Sequence, residues 1–118
     1  MNNKLIGNKN NIVFYTNEEG NIKIEVVLQN EDVWLNVNAI AELFDLQRPA
    51  IYKHISNIFT EEELDEKSVC SILEYTASDK KNYKTKYYNL DMIISIGYRV
   101  NSKKAVKFRQ WANKIIKE

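Results

Sequence analysis

A chain of 118 residues is the length of one ordinary domain, and 44% hydrophobic with 11% aromatic residues supplies apolar material for one core, which excludes an intrinsically disordered tail. The net charge of +1 hides a segregation of sign. Residues 1–79 carry six basic and fourteen acidic side chains, a net of −8, and residues 80–118 carry eleven and two, a net of +9, an asymmetry that points to a nucleic-acid or membrane contact on the basic part.

The opening segment Met1–Asn8 lacks the apolar core of a signal peptide, and no apolar run approaches the roughly 18–20 residues of a membrane span, so no membrane partner is expected. Ile12–Thr16 and Ile22–Leu28 are β-branched and aromatic runs separated by Asn17-Glu18-Glu19-Gly20-Asn21, which predicts a β-hairpin with Gly20 at a position wanting positive φ. Ile22, Ile24 and Val26 share one face of the second run while Lys23 and Glu25 point away. Val33-Trp34-Leu35 can add a short third strand.

From Asn36 the apolar period changes to that of a helix, with Val37, Ile40, Ala41 and Phe44 on one face. Asp45-Leu46-Gln47 follows, then Arg48-Pro49, where proline suits the first turn of a helix because its missing N–H has no intrahelical partner anyway. The spacing predicts a second helix over Pro49–Phe59 with Ile51, Ile55 and Ile58 inward. Thr60-Glu61-Glu62-Glu63 has the form of a capping box, which predicts a short helical turn opening at Thr60.

Val69–Tyr75 and Tyr83–Tyr88 flank the turn-like Ala77–Asn82 and predict a second hairpin. Cys70, the single cysteine, cannot form an intramolecular disulfide and lies in an apolar run; a packed thiol and a reducing, cytoplasmic setting are expected. Asn89 can cap a helix through Leu90, Ile93, Ile94 and Gly97, and Ser102 can cap the last one. In that last helix Ala105, Phe108, Trp111, Ala112, Ile115 and Ile116 fall within one arc, and Lys103, Lys107, Gln110, Lys114 and Lys117 lie opposite as a lysine stripe. The stripe is either a phosphate-contacting face or simply a solvated one. The expected fold class is α+β: two β-hairpins, a helix-turn-helix-like pair and two closing helices, in a single domain over residues 1–118 that forms the amino-terminal part of a longer protein.

The helix pair carries the functional expectation. Ala41, the intervening turn and Ile51 match helix-turn-helix spacing, in which a small residue lets the second helix approach closely and Leu46 plugs the turn. Asp45 stands where glycine is usual, at a position whose backbone goes left-handed. With the isoleucines inward, the outward arc carries Pro49, Lys53, Ser56 and Asn57, with Tyr52 at its edge and Arg48 and Gln47 at its amino end. These groups can donate to phosphates and read base edges. No acidic residue occurs from Leu46 to Thr60, although the segment lies in the acidic part of the chain.

Lys80, Lys81, Lys84 and Lys86, interleaved with Tyr83, Tyr87 and Tyr88, form a basic, aromatic ribbon able to enter a groove or stack on bases. A half-buried strand with tyrosines inside and lysines outside gives the same pattern. Arg109 is expected to pair with a carboxylate such as Asp91. Arg99 can contact phosphate or cap the preceding helix, and the sequence does not separate the two. His54, the only histidine, makes no metal site with one cysteine, so no metal is expected, and no catalytic residue or cofactor motif is present.

Trp34, Ile40-Ala41-Glu42-Leu43-Phe44, Ile51-Tyr52-Lys53-His54-Ile55, Ser68-Val69-Cys70, Tyr87-Tyr88-Asn89-Leu90-Asp91, Gly97-Tyr98-Arg99-Val100-Asn101-Ser102, and Ala105 with Phe108-Arg109-Gln110-Trp111-Ala112 together resemble the RhuM-like virulence-associated proteins of bacteria. The stretch from Tyr87 to Ala112 is the most specific part. More distantly, the ending is similar to the amino-terminal DNA-binding domains of phage antirepressors and baculovirus repeated-ORF proteins. These resemblances imply a DNA-associated domain, often found with restriction or mobile-element genes, and supply no catalytic residue.

The resulting expectation is a non-enzymatic module binding double-stranded DNA, with no small-molecule substrate. Arg48, Tyr52, Lys53 and Asn57 enter the major groove, and Lys80, Lys81, Lys84 and Lys86 hold phosphates. The rival is a protein-interaction module of a defence, virulence or mobile-element locus, and the segregated charges would also allow a homodimer. The groove model carries a condition: the fold must bring Lys80–Lys86 or the last helix beside Pro49–Phe59.

Overall fold

A computed structural model describes residues 4–5, 11–76 and 79–117. The opening segment apart from Lys4-Leu5, and the predicted turn residues Ala77 and Ser78, lie outside the described residues. In chain order the elements are β1 (Lys4–Leu5), β2 (Ile12–Thr16), β3 (Lys23–Gln29), β4 (Asp32–Leu35), α1 (Val37–Phe44), α2 (Arg48–Thr60), α3 (Glu66–Val69), β5 (Cys70–Thr76), β6 (Asn82–Asn89), α4 (Leu90–Arg99) and α5 (Lys104–Lys117). The class is α+β.

Both predicted hairpins form, but they are not separate units. The strands make one sheet in the order β1-β5-β6-β4-β3-β2, antiparallel throughout except for the two-residue parallel β1. The join is β4, which pairs with β3 on one side and with β6 on the other through Trp34↔Asn89 and Leu35↔Tyr88. Residues opposite each other in a ladder share a face. Leu35 and Tyr88 therefore lie on the same side as Ile24 and Val26, and there the helices cover them to form the main core with Ile40, Ile51, Ile58, Ile93, Ile96 and Phe108. Val27, Trp34 and Tyr87 make a smaller cluster on the other face, where the Trp34 indole N–H donates to the Gln29 carbonyl at 2.9 Å.

Local chemistry sets the element ends. Gly20 takes φ +75° in the first hairpin turn, as anticipated. Asn36 caps α1 by accepting from the Ala39 N–H at 2.8 Å, Asn89 caps α4 by accepting from Met92 N–H at 3.3 Å, and Ser102 accepts from Lys104 N–H at 3.2 Å just before α5. Each such cap stabilises by about 1 kcal/mol. Thr60 does not open a helix. It is the last residue of α2, which runs on because Ile58 is fully buried and Phe59 packs on the core, and which is stopped by Glu62 at φ 58°. The short α3 begins later, after Asp65, whose carboxylate accepts from the Ser68 hydroxyl at 3.1 Å.

α5 buries Ala105, Phe108 and Ala112, and Tyr15 meets the Phe108 and Trp111 rings edge-on at centroid distances of 5.1 Å. α4 and α5 cross at Gly97, where an added Cβ would stand 2.3 Å from the Ala105 Cβ.

Candidate nucleic-acid interface

α1 ends at Asp45 in the left-handed conformation, φ 55° and ψ 48°, and the Leu46 N–H donates back to the Ala41 carbonyl at 3.0 Å. That C-cap turns the chain so that Gln47, in extended conformation, can start α2 after only a three-residue turn. Ile51, Ile55 and Ile58 then face the core, which forces the opposite arc outward: Tyr52 is 56% exposed, and Lys53 and Ser56 are exposed. Asn57 is only half-buried on the flank, so it presents less of its amide than the periodicity implied. His54 is half-buried, between the two faces.

At its amino end α2 meets the second hairpin. Arg48 and Tyr52 share a cleft of about 270 Å³ with Asn36 and Asn38 from the start of α1 and with Lys84, Lys86 and Tyr88 of β6. The parity of β6 explains the meeting. Tyr88 faces the helices, so Lys86 and Lys84, at steps of two, continue on the same face beyond the edge of the helical layer. The condition attached to the groove model is therefore met for Lys84 and Lys86. Lys80 and Lys81 are exposed at the hairpin tip, Lys80 at φ 65°, and do not line the cleft. α5, with its lysine stripe, packs instead on α4, β4 and α1.

The cleft is cationic. α2 has no acidic residue in its first turn and no side-chain cap on its free N–H groups, so the partial positive charge of the helix end adds to Arg48, Lys84 and Lys86. Arg48 donates to Asn38 Oδ1 at 3.4 Å, a long bond that tethers without neutralising. Lys84 meets the Glu74 carboxylate across the β5–β6 ladder at 3.9 Å, with the lysine side chain 65% exposed. An exposed pair of that length stabilises by about 0–1 kcal/mol, too little to withhold the ammonium from a phosphate. At the floor, burial pushes the Tyr88 hydroxyl up to about 12, assisted by the neighbouring Cys70, Glu66 and Tyr52. Burial also raises the Cys70 thiol, against the pull of Lys86. Both groups stay protonated at neutral pH and add no negative charge of their own; the negative charge acting on them is that of Glu66.

Of the aromatic residues in the ribbon, Tyr87 and Tyr88 are buried on opposite faces of the sheet, whereas Tyr83 is 40% exposed and its hydroxyl donates to the Asp79 carboxylate at 2.5 Å. That bond holds the Asp79 carboxyl below its usual range and shapes the tip. Two arginine expectations change. Arg99 clamps the far end of α2, donating from Nη2 to Glu61 at 2.9 Å and Glu63 at 3.2 Å, while the Ser95 hydroxyl donates to the same Glu63. Arg109 makes no ion pair with Asp91 among the described residues; it is exposed on the rim of a separate groove, because α5 turns it away from α4's first turn.

Asn36 and Asn38 are cleft residues that the sequence did not single out for this role. Asn36 had a signal as a helix cap, but its second role depends on what α2 and β6 bring beside it. Among the described residues no group of three or more His, Cys, Asp or Glu could hold a metal ion, and no helix is long and apolar enough to cross a membrane.

The family model of the Virulence protein RhuM family matches residues 68–118, a little under half of the chain. This part of the chain is RhuM-like. The RhuM-like stretch begins at the end of α3 and takes in β5, β6, α4 and α5, hence the lysines of the cleft and the Gly97–Ala105 crossing. It is narrower than the resemblance read from Val33 onward, and leaves α1 and α2 outside. No curated protein and no solved structure matches the chain significantly.

Proposed function

We propose that this RhuM-like chain is a non-enzymatic module that binds double-stranded DNA through α2 and the β5–β6 hairpin. The observation that carries the reading is the shared cleft, in which Arg48 and Tyr52 of α2 stand beside Lys84 and Lys86 of β6. A helix laid in a major groove needs flanking cations to hold the phosphates on the groove's edge. Here the exposed face of α2 is free of carboxylates from Leu46 to Thr60, and the cations lie at its amino end, where helix-turn-helix proteins direct their reading residues. Lys53 and Asn57 read base edges along the outward face, Arg48, Lys84 and Lys86 fix the register on the backbone, and Lys80 and Lys81 reach a more distant phosphate from the tip.

The arrangement favours a duplex over an unpaired strand. Single-strand binding rests on a row of exposed aromatic rings along a basic groove. Of the three ribbon tyrosines, Tyr87 and Tyr88 are buried.

The test is binding of random duplexes by electrophoretic mobility shift and fluorescence anisotropy across salt concentrations. Neutralising about five phosphates gives a slope of log affinity against log salt of about −4 to −5. Lys53→Glu and the pair Lys84→Glu with Lys86→Glu should each weaken binding. A salt-independent curve, or unchanged binding by both variants, would reject the interface.

A further inference from the structure

A second groove lies where α4 and α5 cross, and it shares no lining residue with the cleft between α2 and β6. Gly97 has no side chain and Ala105 a small one, so the two helices touch backbone to side chain and leave a groove of about 500 Å³ along their outer side. Ile94 and Val106 line it, Val106 at 44% exposure, and Tyr98 stands beside them at 89%, the most exposed of the large hydrophobic side chains described. Tyrosine and arginine around an aliphatic floor are the residue types that dominate binding energy at protein interfaces.

The charge of the rim selects the occupant. The two charged residues lining the groove, Lys103 and Arg109, are both cationic and exposed, and neither makes an ion pair among the described residues. An apolar floor between two unneutralised cations complements an amphipathic segment with an aliphatic or aromatic anchor flanked by carboxylates. We propose that the α4–α5 groove binds an acidic, amphipathic peptide segment of a partner protein, with Tyr98 and Val106 taking its apolar anchor and Arg109 and Lys103 its carboxylates. The surface is independent of the DNA cleft, so one chain could hold both ligands together.

The probe is a labelled peptide of about twelve residues, alternating Glu and Leu around one Trp, titrated with the full chain by fluorescence anisotropy at moderate salt. The expected result is saturable binding that Tyr98→Ala and Arg109→Glu each weaken by about tenfold or more. The pair Lys84→Glu with Lys86→Glu should leave it unchanged. Tyr98 and Arg109 are exposed, and circular dichroism of each variant verifies that the fold is kept. The proposal is overturned by any of four results: no binding up to millimolar protein, equal binding of a peptide with the same charge and Ser in place of Leu and Trp, loss of binding in the Lys84/Lys86 variant, or a dimer in sedimentation that Tyr98→Ala dissociates while peptide affinity stays the same. The third would show a polyanion in the DNA cleft, and the fourth a groove built for a second copy.

Discussion

Leu35 of β4 lies directly opposite Tyr88 of β6, and this register pair turns two hairpins into one sheet. Both side chains are buried under the helices, at 0% and 4% exposure. Because side chains alternate along a strand, fixing Tyr88 inward also fixes Lys86 and Lys84 on the helical side, where α2 begins. The position of two buried residues thus decides which lysines of the ribbon stand beside Arg48.

The ribbon lysines should consequently differ in their effect on DNA binding. Neutralising Lys84 and Lys86 together should reduce the salt slope by about 2, since each phosphate contact contributes about 0.9. Neutralising Lys80 and Lys81, at the exposed tip outside the cleft, should change affinity less. Anisotropy titrations of the two double variants over the same salt series check this; equal effects would mean that the cleft has no special role.

Asp45 supplies a test of the helix-pair turn. A non-glycine residue in the left-handed region costs about 1–2 kcal/mol, less for Asp than for most. Asp45→Gly should stabilise the fold by about 0.5–1 kcal/mol, a rise of ~4 °C or less in Tm, and Asp45→Val should lower stability by about 1–2 kcal/mol. Thermal unfolding followed by circular dichroism gives both signs.

Gly97 sets two effects against each other. Alanine in a helix interior is favoured over glycine by about 0.5–1 kcal/mol, but here its Cβ would sit 2.3 Å from that of Ala105, and overpacking costs about 1–3 kcal/mol. The contact is with a side chain that has no rotamer to yield, so the steric cost wins and Gly97→Ala should lower the denaturation midpoint. Gly97→Ala combined with Ala105→Gly should recover part of the loss.

Tyr88 makes stability depend on alkaline pH. Its hydroxyl is raised from 10.0 to about 12, chiefly by burial. Between those values the unfolded chain releases the proton and the folded chain keeps it, so the stabilisation is complete below pH 10 and is lost as pH rises through about 12. Allowing for partial solvent screening, the loss is about 1–2 kcal/mol. Urea denaturation at rising pH should show this decline in the wild type and a shallower one in Tyr88→Phe, and ultraviolet titration should show one fewer late-ionising phenol in the variant.

The sequence alone determined what depends on near neighbours. Asn89 and Ser102 sit next to the periodic runs they cap, Ile51, Ile55 and Ile58 recur at helical spacing, and Asp45 stands where the backbone turns left-handed. Each rests on contacts within a few residues, so composition and period expose it. The Thr60 expectation failed for a related reason: a capping pattern competes with a helix already held by Ile58 and Phe59, and burial outweighs one hydrogen bond. Only the tertiary structure decided that β4 joins the hairpins, that Lys84 and Lys86 rather than Lys80 and Lys81 meet Arg48, that Arg99 takes Glu61 and Glu63, and that Arg109 is left facing a groove. Those pairings link segments far apart in the chain. Their choice follows from how the apolar faces of all the strands and helices are buried at once, and no local spacing records that.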